Sequence, residues 1–289
     1  MVAQSLTAVI PIRDMSGKLE KVFNTITISS SLNIQNILVV DSSTDGTYEE
    51  LEEFLNRVKP QNTRLLAGNF GSAGEARNAG LLGVRSNFVT FWDADDEPNP
   101  EMYQDAISKI DNVRNAVIIG NFEEIQLNQK PITPKKQMQN SKQPIMFARK
   151  PGIWRTIFSY SLIKELKFSS LPMGEDQEFL IQTLLLDPEV IFSNEVFYKY
   201  HTGHDGQATS SKAKKRLNYL LYDSTLVRVH QRKHPVPLLV VYMFIFQFFG
   251  MLKNSDLGIS LRRIPNFART LVLIGISRVS TKNRRVGRK

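Results

Sequence analysis

Apolar runs alternate with amphipathic stretches over residues 1–100, and this alternation most narrows the folds open to the chain. "LTAVIPI" (6–12) reads as a buried strand, and Leu19, Val22, Phe23 and Ile26 recur at helical spacing over 18–30. "NILVV" (36–40), "TRLLAG" (63–68) and "NFVTFW" (87–92) are three more strands. Helices over 47–58 and 71–84 separate them, the first with Thr44 or Asp45 placed to cap it. Strand–helix alternation of this kind requires a parallel sheet with right-handed crossovers. The expected fold class is α/β: a mainly parallel central sheet flanked by helices, Rossmann-like, with a C-terminal helical extension that is both basic and apolar. Downstream, a helix follows Pro98 and Pro100, then come a strand in "NAVIIGNF", a helix over 175–186 and strand character over 190–201. Residues 125–150 are polar and contain three prolines, so they read as a loop excursion.

In an open α/β sheet, ligands gather beyond the carboxyl ends of the strands. Acidic residues occupy three such ends: Asp14 after the first strand, Asp41 with Asp45 after the second, and Asp93, Asp95 and Asp96 after the fourth. Carboxylates at alternate positions can converge on one hard cation, Mg²⁺ or Mn²⁺, that completes its shell with phosphate oxygens. A solvated turn, with Asp96 or Asn99 capping the next helix, is the plain alternative; "VTFW" presses the first carboxylate against a core and favours the metal. "GSAGEARNAG" (71–80) opens a helix with glycines. It serves either a phosphate, with Arg77 one turn in, or close helix–sheet packing. Glu175 and Asp176 stand before an apolar helix as caps or as a general base. His201 and His204 are metal or phosphate donors, or ordinary surface residues.

Charge separates the chain into two parts. Residues 1–250 are neutral, and the whole net charge of +9 lies in 251–289, where ten basic side chains face one acidic residue, Asp256. "VPLLVVYMFIFQFFGML" (236–252) is shorter than a bilayer span needs. It reads as a core helix, a marginal span or an in-plane helix; the segments after it mix Arg and Lys with Leu and Ile, which favours an in-plane helix at an anionic membrane surface. With no cysteine in the chain, disulfides, thiolate metal sites and a thiol nucleophile are excluded. The opening residues carry no basic n-region or cleavage site, so the expected place is cytoplasmic, peripheral at the inner face of the cell membrane.

Five stretches together resemble the family 2 glycosyltransferases, whose fold is the A-type nucleotide-diphospho-sugar transferase. They are "TAVIPIRDMSGKLEKVFNTI", "ILVVDSSTDGTYEEL", "GSAGEARNAGL", "VTFWDADDEPNP" and "GEDQEFL", in the family's order. The resemblance covers about Leu6 to His201 and implies 1–205 as the nucleotide-sugar-binding domain, with 206–289 a membrane-associating or oligomerising region. It implies an inverting, metal-dependent transfer from a nucleotide-diphospho-sugar, expected to be a UDP-sugar, to a hydroxyl of a lipid-linked acceptor or growing glycan. Pro11, Arg13 and Asp41 would line the nucleotide pocket, Arg77 would lie near the diphosphate and Asp93 would hold the ribose or support the metal. Asp95 would bind Mn²⁺ or Mg²⁺, His201 would touch the metal or diphosphate, and Asp176 would be the catalytic base beside Glu175. "PIRDMSG" departs from the family's usual aromatic and Asn at the end of the first strand.

Two other readings compete. A sugar-nucleotide nucleotidyltransferase would want a Lys/Arg-bearing glycine loop straight after the first strand, and "PIRDMSGK" supplies only a thin version. A non-catalytic protein could use the tail on a membrane or on nucleic acid, but the tail lacks interleaved aromatics for base stacking, so no nucleic-acid partner is expected. Oligomers are compatible with the sequence.

Overall fold

The structure is a computed structural model that describes residues 5–110, 114–126, 143–203 and 216–286, the last eleven of these by backbone alone. Two compact units divide it: Met1–Asn140, Gly152–Ser170 and Pro188–Asp205 form one, and Ser141–Pro151, Leu171–Asp187 and Gly206–Lys289 the other. The expected division at 205/206 therefore needs correction. The helical unit also takes two excursions from within the first 205 residues, one of them carrying Glu175 and Asp176.

The first unit is built on one sheet. Its strands are β1 (Leu6–Ile12), β2 (Gln35–Asp41), β3 (Thr63–Gly68), β4 (Phe88–Phe91), β5 (Glu97–Pro98), β6 (Ala116–Gln126), β7 (Thr156–Ser159) and β8 (Glu189–Thr202), in the order β3-β2-β1-β4-β7-β6-β8-β5. Parallel pairing joins β3, β2, β1 and β4, and again β6 and β8; β7 runs antiparallel between β4 and β6, and β5 antiparallel to β8. Mainly parallel is thus right. The two reversed strands, of four and two residues, are too short to leave a periodic trace in the sequence.

Helices α1 (Glu20–Ser31), α2 (Thr47–Val58), α3 (Ala73–Leu81) and α4 (Pro100–Ser108) supply the crossovers. β1 is mostly apolar, with Leu6, Ala8, Val9, Ile10 and Ile12 all buried, as a central strand covered on both faces requires; the hydroxyl of buried Thr7 is satisfied by Gln35 and Ser86. Edge strand β3 alternates between half-buried and exposed positions. Gly80 of α3 lets that helix approach the sheet: a Cβ there would lie 2.4 Å from Val9 Cγ1 and 3.2 Å from Val39 Cγ2. Asn99 caps α4 by accepting from the Met102 N–H, and Pro100 stands in its first turn.

The second unit is helical: α5 (Gln143–Arg149), α7 (Glu175–Leu184), α8 (Asn218–Gln231), α9 (Leu238–Asn254), α10 (Leu257–Leu261) and α11 (Ile264–Val286). The remaining helix, α6 (Tyr160–Ile163), is a single turn after β7 in the first unit. Two expectations change. Of the 125–150 excursion, 127–142 lie outside the described residues, while 143–149 are helix, burying Gln143, Phe147 and Ala148. Helix α9 covers most of 236–252, the stretch read as a core helix, a marginal span or, by preference, an in-plane helix. One side of it is core, burying Leu239, Val240, Val241, Met243, Phe244, Gln247, Phe248 and Met251, while Leu238, Phe249 and Leu252 are exposed. Among the described residues no helix is long and apolar enough to cross a membrane.

Candidate active site

The carboxyl ends of β1 and β2 are laced together by side chains. Asp14 donates its backbone N–H to Ser43 Oγ (3.0 Å) and accepts from the Thr44 N–H (3.3 Å). Ser16 donates its N–H to Asp45 Oδ2 (2.9 Å), and Asp45 also takes the Thr47 hydroxyl and N–H. The Thr47 hydroxyl leads in holding the Asp45 carboxyl below the usual range, against the opposing pull of desolvation. Both loops pass through left-handed backbone, at Asp14 (φ 49°) and Ser42 (φ 51°), a conformation these hydrogen bonds help to hold. Asp14 and Asp45 are therefore spoken for by the fold.

Asp41 ends β2 and is buried. Its Oδ1 accepts from the N–H groups of Phe70 (2.7 Å) and Gly71 (3.0 Å) and from the Ser42 hydroxyl (3.2 Å). Arg13, half-exposed just beyond β1, brings Nη1 to 3.7 Å from Asp41 Oδ2. Pro11 sits one residue before the end of β1, in register with Val39. Arg13 and Asp41 are thus neighbours, with Pro11 two residues before Arg13 at the same strand end. The glycine-opened helix is a different matter. Gly71, at φ 78°, gives its N–H to Asp41, and Ser72 caps α3 by accepting from the Glu75 N–H. The anion at this helix start is the protein's own carboxylate.

Arg77 is buried, not on a solvated face. Its Nη2 donates to Asp93 Oδ1 at 2.7 Å, and its guanidinium lies over the Phe168 ring, 5.5 Å from the centroid. The next residue, Asn78, holds that ring in place: its amide donates to the Phe168 carbonyl (3.0 Å) and accepts from the Phe168 N–H (2.8 Å). "Ala-Arg-Asn" is therefore a clamp that fixes Asp93 at the end of β4. Sequence reasoning missed Phe168, which stands in a polar stretch with no periodicity to mark it.

The acidic cluster separates into inward and outward members. Asp93 and Asp95 are partly exposed, while Asp96 is buried. The Asp93 N–H donates to the Tyr198 hydroxyl (2.9 Å), the Lys21 ammonium donates to the Asp95 carbonyl (2.8 Å), and Asp96 Oδ1 accepts from the His201 N–H (2.7 Å). Burial, reinforced by the Asp93 and Asp95 charges, pushes the Asp96 carboxyl up to about 9. The His201 imidazole engages Glu97, Nε2 to Oε1 at 2.8 Å, and Lys199 approaches the other oxygen of Glu97 at 3.4 Å.

Three-residue convergence of Asp93, Asp95 and His201 is not assembled here. Among the described residues no group of three or more acidic or histidine side chains gathers as a metal cage. The donor set instead suits a cation that brings most of its ligands with it. Two carboxylates at alternate positions, both reachable by solvent, fit a hard ion completed by phosphate oxygens. Tyr198 was missed in the sequence, although "VFYKYH" (196–201) carries a strand's alternation that could have flagged it; Asp96 was seen as part of the cluster, while the cap open to it or to Asn99 comes from Asn99.

Glu175 and Asp176 belong to the second unit, in the first turn of α7, with Glu178. Three acids at one helix start suit the dipole. Gly174 precedes them at φ 87°, and a Cβ on it would meet Leu221 Cδ2 at 2.7 Å, so only glycine fits this entry. Glu178 has no exposed side-chain surface; it accepts from Arg228 Nε (2.5 Å) and Ser224 Oγ (3.3 Å) of α8 and from Gln182 (2.5 Å).

A mostly parallel sheet with acidic residues at the ends of β1, β2 and β4, followed by an acid-rich helix start, defines the class of A-type sugar-nucleotide transferases. The model of glycosyl transferase family 2 matches residues 7–180, and the chain belongs to that family. Among curated relatives it is similar to glycosyltransferase GlyA of Streptococcus pneumoniae, 24% identical over 69% of this chain and 31% of that protein. GlyG of the same organism is 25% identical over 68% of this chain and 71% of its own length. The minor teichoic acid biosynthesis protein GgaB of Bacillus subtilis is 22% identical over 78% of this chain and 26% of its own. The chain thus spans about a third or less of GlyA and GgaB. Its fold is shared with residues 1–349 of S. aureus TarS, in a complex with UDP-GlcNAc (TM-score 0.65, 19% identity, 93% of this chain and 80% of that one). It is also shared with the mannosyltransferase PcManGT of Pyrobaculum calidifontis, in a complex with GDP-Man and Mn²⁺ (TM-score 0.62, 12% identity, 94% and 75%).

Proposed function

We propose that the protein transfers a sugar from a UDP-sugar to a hydroxyl of a growing glycan or lipid-linked acceptor, with inversion at the anomeric carbon. The observation that carries the reading is the arrangement at the strand ends: buried Asp41 beside Arg13, and Asp93 clamped by Arg77 next to partly exposed Asp95. Pro11, Arg13 and Asp41 would receive the base and ribose, with Asp93 helping to orient the ribose. Arg77 acts through Asp93, since its guanidinium is already engaged there. The TarS complex holds UDP-GlcNAc and the PcManGT complex a guanosine donor, so a nucleoside-diphosphate sugar is common ground, and the TarS likeness favours UDP.

Asp95, with Asp93, would hold Mn²⁺ or Mg²⁺, which when bound offsets the charge of a departing diphosphate. Asp176, with Glu175 beside it, would take the proton from the acceptor hydroxyl. The acceptor oxygen then bonds to the anomeric carbon from the face opposite the diphosphate, as the bond from that carbon to the phosphate oxygen breaks.

Incubation with UDP-sugars, with and without Mn²⁺, tests the reading through release of free UDP. Asp176→Asn should keep donor binding while turnover falls by about 10²–10⁴-fold. Asp95→Asn should abolish the response to Mn²⁺. Undiminished turnover in Asp176→Asn would exclude it as the base, and full activity in chelator would remove the metal.

A further inference from the structure

Helix α11 presents apolar residues on two sides. On its inner side Thr270 and Ile274 are buried, and Phe267 and Leu271 pack on the cluster of Tyr222, Phe244, Phe248 and Met251, the Phe267 ring stacked on Phe248 at 3.7 Å. A surface helix normally turns polar residues outward. Here Ile264, Ala268 and Val272, one turn apart, are all exposed, and Leu257 and Leu261 of α10 extend the series. Leu257 is 74% exposed, Leu261 55% and Val272 61%. Aliphatic exposure at such spacing marks an interaction surface rather than scattered single residues.

Basic residues border this ridge. Arg262 and Arg269 are exposed, as is Lys253 at the end of α9. Arg263 is engaged with Asp223 and holds α11 to its unit. The helix continues to Val286 along a sequence that adds Arg278, Lys282, Arg284 and Arg285. The one acidic residue after position 250 is Asp256.

We propose that the α10–α11 ridge docks on an anionic lipid surface, with its aliphatic side chains in the headgroup–acyl boundary and its basic side chains on lipid phosphates. Charge decides among occupants. A two-fold contact with a second copy would set the patch against itself and bring Arg262 and Arg269 toward their own equivalents. A polyanionic leaflet matches both the sign and the spread of the charge, and a helix lying in the interface needs no full span. This surface is distinct from the donor site and does not depend on the proposed reaction.

The full chain, sedimented with vesicles, tests this. Vesicles of phosphatidylcholine with phosphatidylglycerol should carry the protein down at low salt, and phosphatidylcholine alone should not. High salt should release it. Each basic residue near an anionic leaflet raises partitioning about fivefold, so reversing two charges in Arg262→Glu/Arg269→Glu should weaken binding at least about 25-fold. Leu261→Ser/Val272→Ser keeps the charge and should also weaken binding; these side chains are exposed, and circular dichroism confirms retention of fold. A full chain that stays in the supernatant with anionic vesicles at low salt overturns the proposal. So does unchanged binding by the serine variant. A light-scattering mass that is a multiple of the chain, reduced to one copy by Val272→Glu without vesicle binding by the parent, assigns the face to a second copy and overturns it as well.

Discussion

Removal of Arg228 should cost more than removal of its partner, and the difference follows from burial. Glu178 has no exposed side-chain surface, whereas Arg228 is 36% exposed. In Arg228→Ala the carboxylate stays behind without its cation, with Ser224 and Gln182 as its remaining donors among the described residues. Breaking a buried pair in this way costs about 3–5 kcal/mol. In Glu178→Gln the guanidinium swings toward solvent, and the amide keeps an oxygen for it to donate to, so the cost falls to about 1 kcal/mol. By the usual scaling, Arg228→Ala should lower the melting temperature by about 6–20 °C and Glu178→Gln by about 2–4 °C. Thermal melts of both variants and of Arg228→Leu/Glu178→Leu complete the comparison, with the double variant more stable than Arg228→Ala alone. Glu178 is two residues from Asp176 on the same short helix, so Arg228→Ala should also lower kcat while leaving the KM for donor near its parent value. Equal costs for the two single changes, or a larger one for Glu178→Gln, would refute the reasoning.

Three further outcomes are expected. Gly80→Ala should destabilise by about 1–3 kcal/mol through overpacking on Val9 and Val39, and Val9→Ala in the same chain should restore much of it, as read by denaturant unfolding. Asp41→Ala strands the Phe70 and Gly71 N–H groups and should cost about 1–3 kcal/mol, with loss of nucleotide binding by calorimetry; Asp41→Asn should retain more of both. Arg77→Met leaves Asp93 without this cation and removes the guanidinium from over the Phe168 ring, and should raise the KM for donor more than it lowers kcat.

The parallel half of the sheet was legible because its strands are covered on both faces and read as unbroken apolar runs: Leu6–Ile12, Gln35–Asp41 and Phe88–Phe91 lie where those runs stand. β7 could not be seen. Four residues, Thr156–Ser159, reverse direction between β4 and β6, and no local pattern records direction. Helix α9 was legible as an apolar helix of about 17 residues, but its surroundings were left open among protein core, span and membrane surface. Hydrophobicity reports that a face must be buried, not whether protein or lipid buries it.

At the site the same limit takes a sharper form. Arg77, Asp93 and Asp41 were picked out by residue type at strand and helix ends, and all three are engaged there. Their partners within the fold could not be read from residue type alone. A glycine-opened helix next to an arginine left a phosphate or close packing open; in the fold Gly71 donates to Asp41 and Arg77 to Asp93. The reason is energetic. Backbone N–H groups and a guanidinium removed from water need an acceptor in every state of the protein, whether or not a nucleotide is bound. Internal carboxylates meet that need permanently. The residues left to respond to a donor are then those still reached by water, Arg13, Asp95 and the open side of Asp93; of these, Arg13 and Asp95 are the two at which substitution should alter donor binding with the least effect on the fold.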